Sequence, residues 1–547
     1  MFIALRSDGR GGTTAVSLDA DGAETARTDL APDDLAAWIA ERERERPRWV
    51  WSDTSRWYPP LLAAGVRVER CIDLRLCRRI LRHAIATSGT VWPDDGWDRP
   101  APAPTAAGAL FDLEESSSDD DPVAELARQR AAIAASAEPG PLALLTAAES
   151  VGSLVAAEMT FAGLPWRAEV HDAILRELLG DPVPGARPTR MEALLGEVRT
   201  ALDEPTLNPD SPAELVKALQ RAGLRVTTTR SWELKNVDHP AIPPLLEYKK
   251  LARLYTANGW SWLAEWVHDG RFHPVYVPGG VVTGRWAADG GGALQLPKQV
   301  RGAVVADPGW RFVVADAAQL EPRVLAAMSR DTAMARAGQA QDLYQGMVDA
   351  GAVETRPQAK YGMLGAIYGG TQGESGRMRP RIERAFPRAM AYVEAAARAG
   401  ERGEVVRTWL GRTSPPGRQA LQQVDGADGT LSDAEVRRAQ TDARSWGRFT
   451  RNFVVQGTAA EWALCWMGAL RRRLWELGDP GAPLLARPHL IFFLHDEVMV
   501  HTPEGLAPIV ETALRESAAE AGRLLFGGAP VEFALSVATV ERYADAR

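Results

Sequence analysis

The stretch from Leu490 to His501, LIFFLHDEVMVH, limits what this chain can be more than any other. Two apolar runs, Ile491 to Leu494 and Val498 to Val500, flank His495, Asp496 and Glu497, a pattern that predicts a hairpin with an acidic tip. Adjacent carboxylates there are costly, because a half-buried anion is tolerated only when a cation, a metal ion or several donors offset it. The tip therefore asks for a partner of opposite charge. A solvated acidic turn would satisfy the same letters, so a second site upstream has to decide between them.

That site is RFVVADAAQLEPRVLAAMSRD, beginning at Arg311. Phe312 to Ala315 reads as a short buried strand closed by Asp316, and Gln319 to Ser329 has helical spacing. An acid at the C-terminal end of a strand, beside a helix start, is a common place for a ligand-binding carboxylate, although structural acids also sit there. Further on, Arg356, Lys360, Leu364 and Tyr368 recur every fourth residue and precede Gly369-Gly370, so they share one side of a helix. Arg and Lys neutralise phosphate oxygens and an aromatic ring offers a stacking surface, which suits a polyanion carrying flat rings; a solvated cationic face has the same spacing. Two more stretches belong to the set. One is TGRW, Thr283 to Trp286, and the other is RFTRNFVVQGTAAEW, Arg448 to Trp462, with Arg448, Asn452 and Gln456 four apart. The small residues after Gln456 let another backbone or a ligand come close.

At 547 residues with 46% apolar content the chain can bury several cores, which predicts three or four domains or subdomains. Strand-like runs at Phe2 to Leu5, Thr13 to Leu18, Trp49 to Trp51 and Val66 to Val68 alternate with helical ones and suggest a small α/β domain. From about Ser88 to Pro122 the chain is rich in Pro, Ala, Asp and Ser and reads as a disordered acidic insert. Helices are expected at Val123 to Ala162, Arg190 to Leu202, Asn208 to Ala222 with Ser211 as cap, Ile242 to Val267 and Ala333 to Ala350. The whole net charge of −8 falls within the first 150 residues. The balanced remainder leaves room for a basic cleft. Only six lysines stand against 57 arginines, so Lys360 on the cationic face is notable. Three cysteines without CxxC spacing exclude a disulfide scaffold or a cysteine zinc site and fit a reducing cytoplasm. No apolar run approaches the roughly 18 residues of a membrane span, and no signal peptide is evident. The expectation is a soluble protein of the cytoplasm.

Taken in order, TGR, DxxQLE, RxxxKxxxxxxxYG, NxxxQGTAA and HDE resemble the family A DNA polymerases, the bacterial DNA polymerase I class, over roughly Ala157 to the C-terminus. NPDSPAEL (Asn208 to Leu215) and LLEYKKL (Leu245 to Leu251) look like that family's thumb helices. The resemblance implies an α+β right hand, with an antiparallel palm sheet and helical fingers and thumb, preceded by an RNase H-like α/β domain. The implied domains are 1–150, a degenerate 3′–5′ exonuclease-like domain with the insert near 88–122; 151–260, connecting helices and thumb; 261–335 and 450–547, palm; and 336–449, fingers.

By resemblance, Asp316 and Asp496, with the Ala317 carbonyl, hold two Mg²⁺ ions about 3.5–4 Å apart, with Mn²⁺ as a substitute. Glu497 is an accessory carboxylate and Lys360 the proton donor to pyrophosphate. Arg356 and Lys360 clamp the triphosphate, Tyr368 packs by the base pair, Glu321 excludes ribonucleotides, and Gln319, Tyr344 and Leu364 complete the nucleotide pocket. Arg285, Arg448, Asn452, Gln456 and His495 contact primer–template DNA. The implied activity is template-directed addition of deoxynucleotides in DNA repair or replication, without proofreading, by a nucleoid-associated monomer.

Departures from the family pattern are Leu364 in place of an aromatic residue, Tyr344 in place of a histidine, Ala317-Ala318 in place of Tyr-Ser, and a shortened segment between Gly369 and Phe386. In the first domain, Ala4, Arg6 and Trp57 stand where proofreading acids are expected, and a 5′-nuclease domain is not expected. The rival readings are a non-catalytic DNA-binding protein of the same shape, a single-subunit RNA polymerase, disfavoured by Glu321 and QGTAA, and a metal-dependent nuclease.

Overall fold

The computed structural model describes residues 1–7, 12–98, 121–339, 342–370, 373–417, 433–479 and 481–546. Most of the acidic insert, residues 99–120, lies outside the described residues. The chain forms two compact units. The first is Met1–Ala162, Val275–Asp289 and Gly309–Thr539; the second is Gly163–Pro274, Gly290–Pro308 and Val540–Arg547.

Within the first unit, β1 (Phe2–Ser7), β2 (Thr13–Leu18), β3 (Glu24–Leu30), β4 (Arg48–Trp51) and β5 (Cys71–Asp73) form one sheet in the order β3-β2-β1-β4-β5. β1 and β2 are antiparallel, and β4 runs parallel to both β1 and β5. The β-branched and aromatic residues of these strands meet Ile39, Trp49, Trp51, Tyr58 and Leu154 in a buried cluster. Two expectations fail here. Val66–Val68 is buried loop rather than strand, and Cys71–Asp73 supplies the edge instead, because Asp73 closes that strand by capping the next helix at the Leu76 N–H (3.0 Å). The start of the expected disordered insert is packed: Trp97 is buried, and Arg78 pairs with Asp95 and Asp98 at 3.0 and 3.1 Å.

Helix α1, Pro139–Ala162, is 24 residues long and apolar enough to cross a membrane by composition, contrary to expectation, but 72% of its most apolar stretch is buried inside the fold. It is separate from the Pro122–Ala135 helix, and the two together make up the helical region expected over Val123 to Ala162. Glu158 near its end, 5% exposed, accepts from Tyr58 Oη (2.6 Å) and from Arg471 Nη2 and Nε (2.6 and 2.9 Å); Arg67 Nε lies 3.2 Å away. This buried cluster fastens the N-terminal sheet to a single 44-residue helix, Asp433–Glu476.

A second sheet in this unit has the order β7-β8-β6-β9, from β6 (Trp310–Ala317), β7 (His489–Leu494), β8 (Glu497–Pro503) and β9 (Leu535–Val540). β8 is central and nearly all buried, as its run of Val and Met requires. It pairs antiparallel with both neighbours, and Leu494 faces Glu497, leaving His495 and Asp496 as a two-residue turn. His495 takes φ 62, the left-handed conformation such tight turns demand. Helices α2 (Leu320–Ser329), α3 (Leu343–Asp349), α4 (Arg356–Tyr368), α5 (Asp433–Glu476) and α6 (Ala507–Phe526) belong to the same unit. The expected Ala333–Ala350 helix is two shorter ones, Thr332–Ala337 and α3, each capped by its own aspartate, Asp331 and Asp342.

The second unit is mainly helical, with Thr189–Leu202, Pro212–Arg221 and Ile242–Asn258 packed around Leu215, Leu219, Leu234 and Leu245. Ser211 caps its helix as expected, accepting from the Glu214 N–H (3.3 Å). The expected Ile242–Val267 helix stops at Gly259, where a side chain would meet the Tyr255 carbonyl at 2.3 Å, and restarts as Trp260–Trp266.

Candidate active site

The two key acids meet because β6 and β8 are neighbours. Asp316 pairs across the ladder with Glu497, and the Ala317 N–H donates to the Asp496 carbonyl (2.9 Å), which locks the hairpin turn against the end of β6. A second brace comes from Tyr276, whose hydroxyl donates to the Phe493 carbonyl (2.9 Å) and accepts from the Phe493 N–H (3.0 Å). Trp286 of the TGRW stretch packs edge-on against Phe493, 5.2 Å between centroids, and so holds Arg285 beside the turn.

Charge is concentrated there. Burial, then the Asp496 and Glu497 carboxylates, push Asp316 up to about 7. Burial likewise raises Asp496, partly offset by its own backbone N–H and by Arg285. Burial and the Arg285 charge lower His495. Glu321, on the first turn of α2, is largely buried and joins two of the expected residues: it pairs with Arg285 Nη2 and accepts from Tyr368 Oη at 2.6 Å. Gln456 hydrogen-bonds the same phenol. Tyr344 is pushed up to about 12 by burial and by Glu321, Asp342 and Asp496, so it faces the same acidic centre.

Other expected residues sit around this core. Gln319, itself left-handed at φ 50, uses its side-chain oxygen to accept from the Leu343 N–H (3.1 Å) and so caps α3. Lys360 is exposed on α4 without an ion pair to a described residue, and Leu364 is half-buried on the same helix. Arg448 lies against Gly369, where a Cβ would come within 2.9 Å of its side chain. Asn452 Oδ1 is buried with no hydrogen-bond partner among the described residues, an orphan acceptor that suits a donor from a bound ligand. Gly457 does admit a close backbone: a Cβ there would lie 3.1 Å from the Thr283 carbonyl.

Three residues that matter here are invisible to pattern reading. Asp342 pairs with Arg356. Arg451, 3% exposed, donates to the Ala366 carbonyl and to Glu394 (2.5 and 2.7 Å), tying α4 to α5. Arg412 pairs with buried Glu149 and packs beneath Gly284 of the TGRW stretch.

Residues 187–539, well over half of the chain, match the model of DNA polymerase family A. The chain belongs to that family. Among curated relatives of this family A chain, DNA polymerase I of Chloroflexus aurantiacus is 28% identical over 326 residues, covering 54% of this chain and 32% of the relative. The thermostable DNA polymerase I of Thermus filiformis is 26% identical over 357 residues, covering 60% and 41%. The chain thus spans less than half the length of these relatives. In fold it is similar to the POL domain of Pol1 from M. smegmatis, solved in complex with a DNA primer-template and dNTP, at TM-score 0.70 and 20% identity, over 100% of this chain and 95% of that one.

Asp316 and Asp496 fit a hard divalent cation. Burial raises both acids, Asp316 further through Asp496 and Glu497, and Asp496 further through Glu321 and Glu497, and a cation would relieve both. Among the described residues no group of three or more His, Cys, Asp or Glu side chains is arranged to hold a metal ion, so the fit rests on this pair of acids alone. A stability test follows. Because the folded Asp316 pKa of about 7 exceeds its ordinary 3.8, its favourable contribution is present below about 3.8 and lost as pH rises through about 7. Asp316→Asn therefore raises the ligand-free melting temperature at pH 8 by about 1–3 °C, after discounting for screening, and changes it little at pH 4. Added Mg²⁺ raises the wild-type melting temperature at pH 8 but not that of the variant.

Proposed function

We propose that this chain is a template-directed DNA polymerase that adds deoxynucleotides to a primer 3′-hydroxyl. The observation that best supports this is the meeting of Asp316 and Asp496 at the β6 end and the β7–β8 turn, facing Glu321, Tyr368 and Tyr344. Asp316 and Asp496, with the Ala317 carbonyl, would hold two Mg²⁺ ions. Those ions, when bound, supply activation of the primer hydroxyl and neutralisation of the triphosphate.

The chain's own residues do the positioning. Arg356 and Lys360 project from successive turns of α4 to grip phosphate oxygens, since phosphoryl transfer depends mainly on alignment and charge neutralisation. Lys360 would give a proton to the leaving pyrophosphate. Glu321, fixed between Arg285 and Tyr368, presents bulk where a 2′-hydroxyl would sit and so selects deoxynucleotides. Tyr368, with Leu364 a turn before it, borders the nascent base pair. Arg285, Arg448, Asn452, Gln456 and His495 line the primer–template path, and the orphan Asn452 oxygen accepts from the DNA. In this reading 261–335 and 450–547 are palm, 336–449 fingers and 151–260 connecting helices and thumb.

The N-terminal sheet is read as structural and non-proofreading. Ala4 is fully buried in β1 and Arg6 is exposed, while Trp57 Nε1 donates to Ser52 Oγ (3.3 Å); none of the three is an acid. Primer extension with single nucleotides tests the proposal. Each template base should direct incorporation of its complement alone, with deoxynucleotides favoured over ribonucleotides at least about a hundredfold. Equal use of both sugars would remove the role given to Glu321. Incorporation without regard to template would overturn the reading.

A further inference from the structure

Arg356 is the first residue of α4 and half exposed, a position where a long side chain is ordinarily free to wander. Here it is held twice. Its Nε donates to Asp342 Oδ2, and its guanidinium carbon lies 5.8 Å from the centre of the Tyr344 ring. Asp342 is itself fixed, since its other oxygen accepts from the Tyr344 and Gln345 N–H groups at the start of α3 (3.0 and 3.4 Å). The contact engages only the inner edge of the guanidinium. Its two outer nitrogens make no hydrogen bond with a described residue, and those are the pair that can grip a phosphate in parallel. Tyr344 also lies within electrostatic reach of Glu321 and Asp496, so the held arginine borders the acidic centre.

We infer that Asp342 is a positioning residue for the nucleotide: it aims Arg356 by its inner edge and leaves the outer fork for the triphosphate. This rests on the proposed polymerase reading, in which Arg356 grips the triphosphate. An exposed surface pair of this kind adds little to stability. Its effect lies in binding, because an arginine already held loses less freedom when phosphate arrives. The Tyr344 ring supplies the flat face that keeps the guanidinium plane from rotating. The carboxylate charge also opposes the triphosphate, and the inference is that orientation outweighs this repulsion.

The test is steady-state incorporation of dTTP opposite a single templating dA by the wild type, Asp342→Asn, Arg356→Ala and the double variant. Asparagine keeps a cap oxygen for α3, so the Asp342→Asn melting temperature should stay within about 2 °C of wild type. Asp342→Asn should raise the dTTP KM about three- to tenfold with kcat within about twofold, and should add nothing once Arg356 is alanine. If Arg356→Ala raises KM but Asp342→Asn leaves it unchanged or lowers it, the inference fails while the polymerase reading stands. If Arg356→Ala itself leaves KM unchanged, the triphosphate grip fails and takes the inference with it.

Discussion

Asp496→Asn slows single-turnover primer extension by at least about a thousandfold, the loss of several kcal/mol of transition-state stabilisation, while primer–template affinity changes less than about threefold. The asymmetry follows from where the residue sits. Asp496 occupies a two-residue turn whose backbone is pinned by Ala317 and whose strand is braced by Tyr276, so an amide of the same size leaves the hairpin in place. What changes is charge. In the proposed mechanism a neutral side chain beside Asp316 would no longer draw divalent ions to the end of β6, and the chemistry would lose its electrostatic support. Asp316→Asn should do the same. If, as proposed, arginines along the primer–template path supply most of the DNA affinity, it should fall steeply with salt in wild type and variant alike, by about −0.9 in log–log slope per neutralised phosphate.

Glu158→Ala destabilises the chain by about 3–5 kcal/mol, read as a lower denaturant midpoint of the first unfolding transition. The carboxylate serves two buried arginines and a buried tyrosine, and its removal leaves Arg471 and Arg67, with side chains 4% and 6% exposed, without their counterion. Burial opposes its ionisation, but Arg471 and Arg67 hold the carboxyl below its usual range. A lowered folded pKa gives stability that is present above the ordinary carboxylate value of 4.5 and lost as pH falls through the folded one, so the variant and wild type should converge in acid. Because the cluster joins the N-terminal sheet to α5, the loss should also loosen the helix that carries Arg448, Asn452 and Gln456. That would make the N-terminal sheet a structural support for the helix on which those three residues lie.

Local features of the chain were readable where a short motif fixes both the fold and the chemistry. The hairpin at His495–Asp496 and the strand before Asp316 follow from apolar runs cut by acids, and Ser211 announced a helix cap. Helix breaks were harder. Nothing in the periodicity of Ile242 to Val267 says that a side chain at Gly259 would strike the Tyr255 carbonyl. Val66–Val68 has strand-like residues yet stays in a loop, because the edge of the sheet is taken by Cys71–Asp73. The least readable features were ion pairs made across long sequence separations: Glu158 with Arg471, Arg412 with Glu149 and Arg451 with Glu394. Each is set by tertiary burial, and among 57 arginines no spacing marks which ones are inside.

The decisive measurement is rapid-quench extension of a labelled primer–template by the wild type, Asp316→Asn and Asp496→Asn in Mg²⁺, each with its DNA dissociation constant measured in parallel. The account predicts templated extension by the wild type, loss of it in both variants, and three similar dissociation constants. A wild type that binds primer–template as tightly as the variants yet extends nothing would contradict it, and would leave a DNA-binding protein in the shape of a polymerase.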